Sequence, residues 1–239
     1  MWKTIGVDRG SKVGYSAQVF FRIMEDFDMA KDARQRQKAA LKRKKRELRK
    51  NEQKSKQRSS VMGGVAASPL KVLSELPIHE CVISKGWEGR GLAHILLSRT
   101  LPNGKLAVGG WYLDTFAMGV KDAALLPGLD PAEYEERIKP NIFNDDVEFE
   151  DCEPALAAAL VEGAAEYGEK LGFRPNKRWE ESRSILTGIE PREDIPPFGK
   201  DGKPCYINRG ETNSAAIIAR LVRSVGEGNF TVEEDKEED

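Results

Sequence analysis

Two apolar runs separated by a polar turn occupy residues 91–114, "GLAHILLSRTLPNGKLAVGGWYLD". The Pro-Asn-Gly sequence at 102–104 is strong turn chemistry, so the segment is predicted to form a β-hairpin. The glycine pair at 109–110 indicates a β-bulge or a close approach of another part of the chain. The next stretch, "TFAMGVKDAALL" at 115–126, is predicted to begin a helix or to form a buried loop, and Gly119 argues against a long helix.

The clearest helical pattern lies in residues 153–173, "EPALAAALVEGAAEYGEKLGF". Apolar residues recur on one face, Pro154 fits the first helical position and Gly172 fits the position just after the end. Asp130 as N-cap and Pro131 in the first turn predict a further short helix, "PAEYEERIK".

The C-terminal part of the chain shows a turn, a strand and a last helix. "FGKDGKPCYIN" is predicted to be a hairpin turn at Asp201-Gly202 that leads into a strand. "TNSAAIIARLVRSVGEGNF" is predicted to be a helix capped by Thr212 or Asn213 and ended at Gly226. Together these patterns predict an α+β fold for residues 70–232, a single compact domain with a β-hairpin sheet and two or three packed helices.

Residues 30–58 have a different pattern, because good helix formers are present without Gly or Pro and without a broad apolar face. We predict an extended basic helical arm that frays when it is alone in water, since like charges crowd at i,i+4 spacing. The small-residue segment 59–69, "SSVMGGVAASP", is predicted to be a flexible linker. Residues 233–239 are predicted to be an acidic tail.

Positive and negative charges are distributed unevenly along the chain. The chain has 38 Lys/Arg and 39 Asp/Glu, a net charge of -1. Residues 30–58 hold 14 Lys/Arg and three Asp/Glu, a local charge of +11, whereas the remaining residues carry -12. Such a basic segment on an acidic body favours a nucleic-acid partner.

The predicted contact is with the phosphate backbone of RNA or the ribosome, in preference to DNA, because the cations are not interleaved with aromatic residues that stack on bases. An acidic protein partner, or the acidic body of the chain itself, is an alternative. The predicted nucleic-acid-binding residues are Arg34, Arg36, Lys38, Lys42, Arg43, Lys44, Lys45, Arg46, Arg49 and Lys50.

Composition excludes several other classes. No apolar run approaches the length of about 18 residues that a membrane span needs, and the arm lacks the apolar face of a membrane-surface helix. The N-terminus does not have the pattern of a secretory signal. Three widely spaced cysteines predict neither a disulfide framework nor a zinc site, and they favour a cytoplasmic location. We predict no cofactor and no bound metal.

Three charged residues in an apolar segment are the candidates for chemistry: Asp114, Lys121 and Asp122. One interpretation is an enzyme pocket in which the two carboxylates bind metal or act as acid and base beside Lys121, with nucleic acid as a possible substrate. The other is a buried ion pair between Lys121 and an aspartate, which would fix a turn.

Two segments in combination, "GLAHILLSRTLPNGKLAVGGWYLDTFAMGVKDA" and "FGKDGKPCYINRG…IIARLVRSVGEGNF", resemble a bacterial protein family of uncharacterised activity. The resemblance covers residues 70–232 and implies one coherent domain, often with a basic N-terminal segment. This chain has Thr115, Phe116 and Ala117 where that family's "LVDVWCLGVKDA"-like core has other residues, among them a Cys, and it has Thr231 where a His follows "GNF". If that Cys and His serve chemistry in the family, their absence here counts against a mechanism that uses that thiol or histidine.

Residues 1–28 are predicted to be an extension outside the natural protein. "KTIGVDRGSKVGYS" resembles the first strand of an RNase H-like nuclease, in which Asp8 would hold a metal, but the basic arm begins where that fold needs a β-hairpin. Met29 begins an ordinary N-terminus, and codons for "MED" at 24–26 can encode a ribosome-binding site ahead of it.

Overall fold

The computed structural model describes residues 73–143 and 147–235. The predictions for residues 1–28, for the arm at 30–58 and for the linker at 59–69 therefore fall outside the described residues.

The described chain is an α+β domain built on a five-stranded antiparallel sheet with the order β4-β3-β2-β1-β5. Its strands are β1 (Ile78–Ser84), β2 (Leu92–Thr100), β3 (Leu106–Asp114), β4 (Gly119–Leu129) and β5 (Phe149–Asp151). The predicted hairpin is confirmed as β2 and β3, which pair from Leu92 with Asp114 to Thr100 with Leu106. Gly109 stays in register opposite Leu97, so it is not a bulge. A Cβ added at Gly109 would lie 2.7 Å from the Ile185 side chain, so the predicted close approach of another part of the chain is present at this glycine.

The prediction of a helix or a buried loop at 115–126 was wrong from Gly119 onward, because Gly119–Leu129 is strand β4 and pairs with β3 along its length. Residues 115–118 form a buried turn before this strand. A strand that is covered on both faces carries apolar residues at successive positions, so the period-two alternation of a half-exposed strand is missing.

The helical segments outnumber the two or three that were predicted. They are α1 (Trp87–Arg90), α2 (Pro131–Glu133), a π-helical turn (Tyr134–Ile138), α3 (Lys139–Ile142), α4 (Pro154–Lys170), α5 (Trp179–Arg183), a 3-10 turn (Ser184–Leu186) and α6 (Ser214–Val225). The predicted N-cap is confirmed, since the Asp130 side chain accepts from the Ala132 N–H at 3.2 Å. Gly172 and Gly226 have positive φ angles just beyond the ends of α4 and α6, as predicted.

Each face of the sheet is covered by a different kind of segment. Helix α4 packs small buried residues such as Ala157 and Ala164 onto one face. The run from α2 to α3 covers the other face with Tyr134, Ile138 and Ile142. None of the helices in residues 73–143 and 147–235 is long and apolar enough to cross a membrane.

A smaller unit at the C-terminus joins α6 to a two-stranded parallel sheet of β6 (Cys205–Asn208) and β7 (Thr231–Glu234). Ile217 and Leu221 of α6 pack against Tyr206 and Met118. The hairpin turn at Asp201-Gly202 is present, with reciprocal backbone hydrogen bonds between Lys200 and Lys203. Because β7 includes Glu233 and Glu234, the ordered fold continues into the predicted acidic tail.

Candidate functional site

The connection between β3 and β4 positions Asp114 through backbone groups. Its Oδ1 accepts hydrogen bonds from the N–H groups of Phe116 at 3.0 Å and Ala117 at 2.8 Å. A side chain that accepts from the backbone two and three residues further on closes an Asx-type turn. Strand β4 then begins at Gly119, where φ is +70° and an added Cβ would lie 2.8 Å from the Cα of Gly168. Asp114 and Gly119 together determine how this turn meets helix α4.

The charge of Asp114 is poorly accommodated. The residue is only 2% exposed, and its Oδ2 has no hydrogen-bond partner within the described residues. Burial raises the pKa of Asp114 above its ordinary value, although Lys121 and the two backbone donors act in the opposite direction. The turn therefore contains a carboxyl group whose ionised form is disfavoured.

Lys121 occupies a β-bulge in β4. Tyr112 pairs with Asp122 while Leu113 pairs with Val120, which leaves Lys121 as the extra residue on the bulged strand. Its Nζ lies 3.1 Å from Oε1 of Glu211 and 5.2 Å from the centre of the Tyr112 ring. Burial by itself lowers the pKa of Lys121, but attraction from the surrounding Tyr112, Asp114 and Glu211 outweighs it and raises the pKa overall. Lys121 is therefore a neutralised cation, and it is not available as a base.

Glu211 ties the C-terminal unit to this end of the sheet. Its Oε2 accepts from the Tyr206 hydroxyl at 3.0 Å and from the Arg209 backbone N–H at 2.9 Å. Burial acts to raise the pKa of Glu211, but Lys121 and the Arg209 N–H more than offset it and lower the pKa. The Arg209 guanidinium donates in turn to the Arg90 carbonyl at 2.7 Å. The result is a connected charge cluster, which we define as Asp114, Lys121, Tyr206, Arg209 and Glu211.

His94 adjoins the charge cluster but is kept neutral. Its ring stacks on Tyr112 with the ring centres 4.4 Å apart. Burial, together with the positive charges of Arg90 and Lys121, lowers the pKa of His94 to about 3. The other histidine, His79, is exposed. His94 is therefore a core aromatic residue at neutral pH.

Asp122 is not part of the charge cluster, although it follows Lys121 directly. Its Oδ1 accepts from the Ala123 N–H at 2.8 Å and from the Asn176 side chain. Burial raises the pKa of Asp122, against the lowering effects of the Ala123 N–H and the Arg178 charge. The structure thus brings Asp114 and Lys121 together and places Asp122 in a separate contact that fixes the segment leading to α5.

Sequence reasoning missed three members of the charge cluster: Tyr206, Arg209 and Glu211. The polar run "INRGETN" at 207–213, which contains Arg209 and Glu211 and leads from β6 to α6, was the available signal for these two residues. Its composition is also that of an ordinary loop. The ten predicted nucleic-acid-binding cations, from Arg34 to Lys50, lie outside the described residues.

Two surface depressions lie elsewhere on the domain. One, of about 310 Å³, lies between Trp87, Phe116 and Phe198. The other, of about 410 Å³, lies beside Glu162, Arg183 and Thr187. Neither is lined by Asp114, Lys121 or Glu211. Among residues 73–143 and 147–235, no group of three or more His, Cys, Asp or Glu side chains has an arrangement that could hold a metal ion.

The geometry of the charge cluster is that of an internal connection, which joins the β3–β4 turn to the C-terminal unit through paired charges. Comparisons of the chain with protein-family models, with curated proteins and with solved structures found no match.

Proposed function

We propose that the protein binds RNA, in free structured form or in the ribosome, through phosphate contacts made by residues 30–58. The observation that carries the proposal is the charge of this segment, 14 Lys/Arg against three Asp/Glu, in a chain whose remaining residues carry -12. Lys and Arg at this density release condensed counterions when they neutralise phosphates, which supplies binding free energy without base recognition.

The folded domain is expected to contribute little to phosphate binding, because many of its cations are already paired with its own acidic groups. These pairs are Lys85–Glu148, Lys121–Glu211, Arg137–Glu133, Lys139–Glu80, Arg183–Glu162, Arg192–Asp194, Lys200–Glu233 and Arg209–Asp235.

Arg99 is also engaged internally, since its guanidinium donates to the carbonyls of Leu76, Ile185 and Thr187 at 2.7–3.0 Å. An acidic domain repels a polyanion, so the attraction has to come from the basic segment. The expected binding is consequently strong in low salt and weak in sequence preference.

The test is fluorescence anisotropy of a labelled RNA hairpin, titrated with the full chain over a salt series. The logarithm of the association constant is expected to fall linearly with the logarithm of the salt concentration. Replacement of Lys42, Arg43, Lys44, Lys45 and Arg46 by Gln should weaken binding and reduce that slope by about one for each cation that contacts a phosphate.

The matched control changes the same number of exposed cations on the folded domain to Gln: Lys105, Lys170, Arg174, Lys177 and Arg223. It should leave most of the affinity and the slope in place. Equal losses in the two variants would refute a specific role for residues 30–58, as would binding that does not respond to salt. Persistence of a complex with an acidic protein after nuclease treatment would favour the protein-partner alternative.

An enzyme built on Asp114, Lys121 and Asp122 has less support. The buried Oδ2 of Asp114 is the observation in its favour. However, Lys121 is paired with Glu211 and Asp122 contacts Asn176, so the three groups do not converge on one substrate position. We base no catalytic proposal on them.

A further inference from the structure

Cys81 and Cys152 are 71 positions apart in sequence, yet they lie opposite each other in the sheet. Strand β5 pairs with β1 in a register that places Val82 opposite Asp151, and continuation of this register by one residue places Cys81 opposite Cys152. The N–H of Cys152 donates to the carbonyl of Cys81 at 2.9 Å, so the two residues face each other across the adjacent chain segments. Opposed residues of antiparallel strands have Cα atoms about 4.5–5.5 Å apart, which lies within the range that a disulfide spans.

The two thiols interact directly, and their surroundings make them unequal. The interaction between them raises the pKa of Cys81 and lowers the pKa of Cys152, and the Cys152 sulfur also lies 3.5 Å from the carbonyl oxygen of Glu153. Cys152 also lies two residues before the 17-residue helix α4, whose first turn contains the N–H of Ala157, and this N–H helps to lower the pKa of Cys152. A thiol at a helix N-terminus with a donor beside it is the one that ionises and attacks.

Access differs between this pair and the third cysteine. Cys81 and Cys152 are each 8% exposed, and Cys152 lies between the exposed residues Asp151 and Glu153 at the edge of the sheet. Cys205 is fully buried in β6. All three cysteines are free thiols in the structure.

We propose that Cys81 and Cys152 form a reversible redox site that is oxidised by hydroperoxides, with Cys152 as the attacking thiol and Cys81 as the resolving thiol. The Cys152 thiolate attacks one oxygen of the peroxide, the O–O bond breaks, and the products are a Cys152 sulfenic acid and hydroxide. The Cys81 sulfur then attacks the Cys152 sulfur and displaces water. The peroxide is thereby reduced by two electrons, and the dithiol is oxidised to a disulfide.

The sequence allows the product to be mapped unambiguously. Because trypsin does not cleave before proline, each cysteine falls in a separate tryptic peptide: residues 72–85, 138–170 and 201–209. The full chain is reduced, freed of reductant, treated with hydrogen peroxide, alkylated and digested without reduction. Mass spectrometry should find peptide 72–85 joined to peptide 138–170 and should find peptide 201–209 alkylated. Dithiothreitol should reverse the link, and oxidation in concentrated urea should lose this selectivity.

Single variants assign the two roles. In Cys81→Ser, a cyclic diketone that traps sulfenic acids should label Cys152. In Cys152→Ser, labelling of Cys81 should be slower by about tenfold or more, because its thiol is the less ionised one. Cys205→Ser is the control and should form the same disulfide as the unchanged chain. Linkage through Cys205, linkage only between chains, or independent oxidation of all three thiols would overturn the proposal. The wild-type mapping decides even if a serine variant does not fold.

Discussion

Two partly buried lysine–glutamate pairs, at different places on the sheet, have similar exposure but different surroundings. In one, Lys121 Nζ lies 3.1 Å from Oε1 of Glu211, and the side chains are 19% and 21% exposed. In the other, Lys139 Nζ lies 2.5 Å from Oε1 of Glu80, and the side chains are 12% and 23% exposed. Because exposure is nearly matched, the neighbours of each pair determine what its lysine contributes.

Each lysine has a second carboxylate, but that of Lys121 is buried and that of Lys139 is exposed. Lys139 Nζ lies 3.6 Å from Oε2 of Glu135, whose side chain is 52% exposed. The charge of Lys121 acts on the buried Asp114 as well as on Glu211. At both sites a tyrosine hydroxyl donates to the glutamate: Tyr206 to Oε2 of Glu211 at 3.0 Å and Tyr134 to Oε2 of Glu80 at 2.5 Å. The comparison teaches that two geometrically similar ion pairs can differ in stability contribution, because the cost of removing a cation depends on which anions remain buried without a partner.

Replacement of Lys121 by Met should produce the largest effect. It leaves Glu211 and Asp114 without their cation in a buried setting, and we expect a loss of about 3–5 kcal/mol in the free energy of unfolding. Lys139→Met should lose only about 1–2 kcal/mol, because its second carboxylate, Glu135, is exposed and Tyr134 continues to donate to Glu80. Urea unfolding followed by circular dichroism measures both values at neutral pH.

An equal loss in Lys121→Met and Lys139→Met would contradict the difference drawn between the two pairs. The double variant Lys121→Met with Glu211→Gln sharpens it, since removing the glutamate charge should restore part of the stability lost in Lys121→Met. If the second substitution adds a further full loss, Lys121 does not act through Glu211.

The backbone contacts of Asp114 predict the next largest effect. Asp114→Ala deprives the buried N–H groups of Phe116 and Ala117 of their acceptor, and we expect a loss of about 2–4 kcal/mol. Asp114→Asn keeps an oxygen at the Oδ1 position and should stay within about 1 kcal/mol of the unchanged chain. Thermal and urea unfolding of the two variants test this prediction. If Asp114→Asn loses as much stability as Asp114→Ala, the charge of Asp114 stabilises the fold and its acceptor oxygen in the turn does not.

The parts of this fold that the sequence predicts are those encoded within a few residues. The turn at 102–104, the cap at Asp130 and the stop at Gly172 each depend on local chemistry, and each is present. Strand β4 was misassigned because it is covered on both faces of the sheet. Such a strand lacks the alternation of apolar and polar residues that marks a half-exposed strand, and its coverage is determined only when the whole sheet assembles.

The candidate site was predicted less well because its contacts are distant in sequence. Lys121 and Glu211 are 90 positions apart and meet only because β6 and α6 pack beside the β3–β4 turn. The pair Cys81 and Cys152 likewise depends on β5 joining the outer edge of β1, although strands β2, β3 and β4 lie between β1 and β5 in the sequence. A charged residue in an apolar segment thus signals a partner but does not identify it.

His94 should make the domain sensitive to acid, because its burial and the positive charges of Arg90 and Lys121 oppose protonation of its ring. Its pKa is lowered from 6.5 to about 3, so below pH 6.5 the unfolded chain binds a proton that the folded chain does not. Stability should be retained above pH 6.5 and should fall on acidification by up to about 1.4 kcal/mol per pH unit. Urea midpoints from pH 7 to pH 4 should show this slope, which His94→Gln removes and the control His79→Gln keeps.

The smallest expected effect isolates the charge of Asp114 from its turn. Burial raises the folded-state pKa of Asp114 above the ordinary 3.8. At pH values between 3.8 and the folded-state pKa, Asp114 is therefore protonated in the folded chain and ionised in the unfolded chain. Ionised Asp114 therefore weakens the fold above its folded-state pKa, and this penalty is relieved as the pH falls toward 3.8. Asp114→Asn is neutral throughout, so its stability relative to the unchanged chain should be greatest at neutral pH and should decline on acidification. His94 is present in both chains and cancels in the difference, and a difference that does not vary with pH would show that Lys121 fully compensates Asp114.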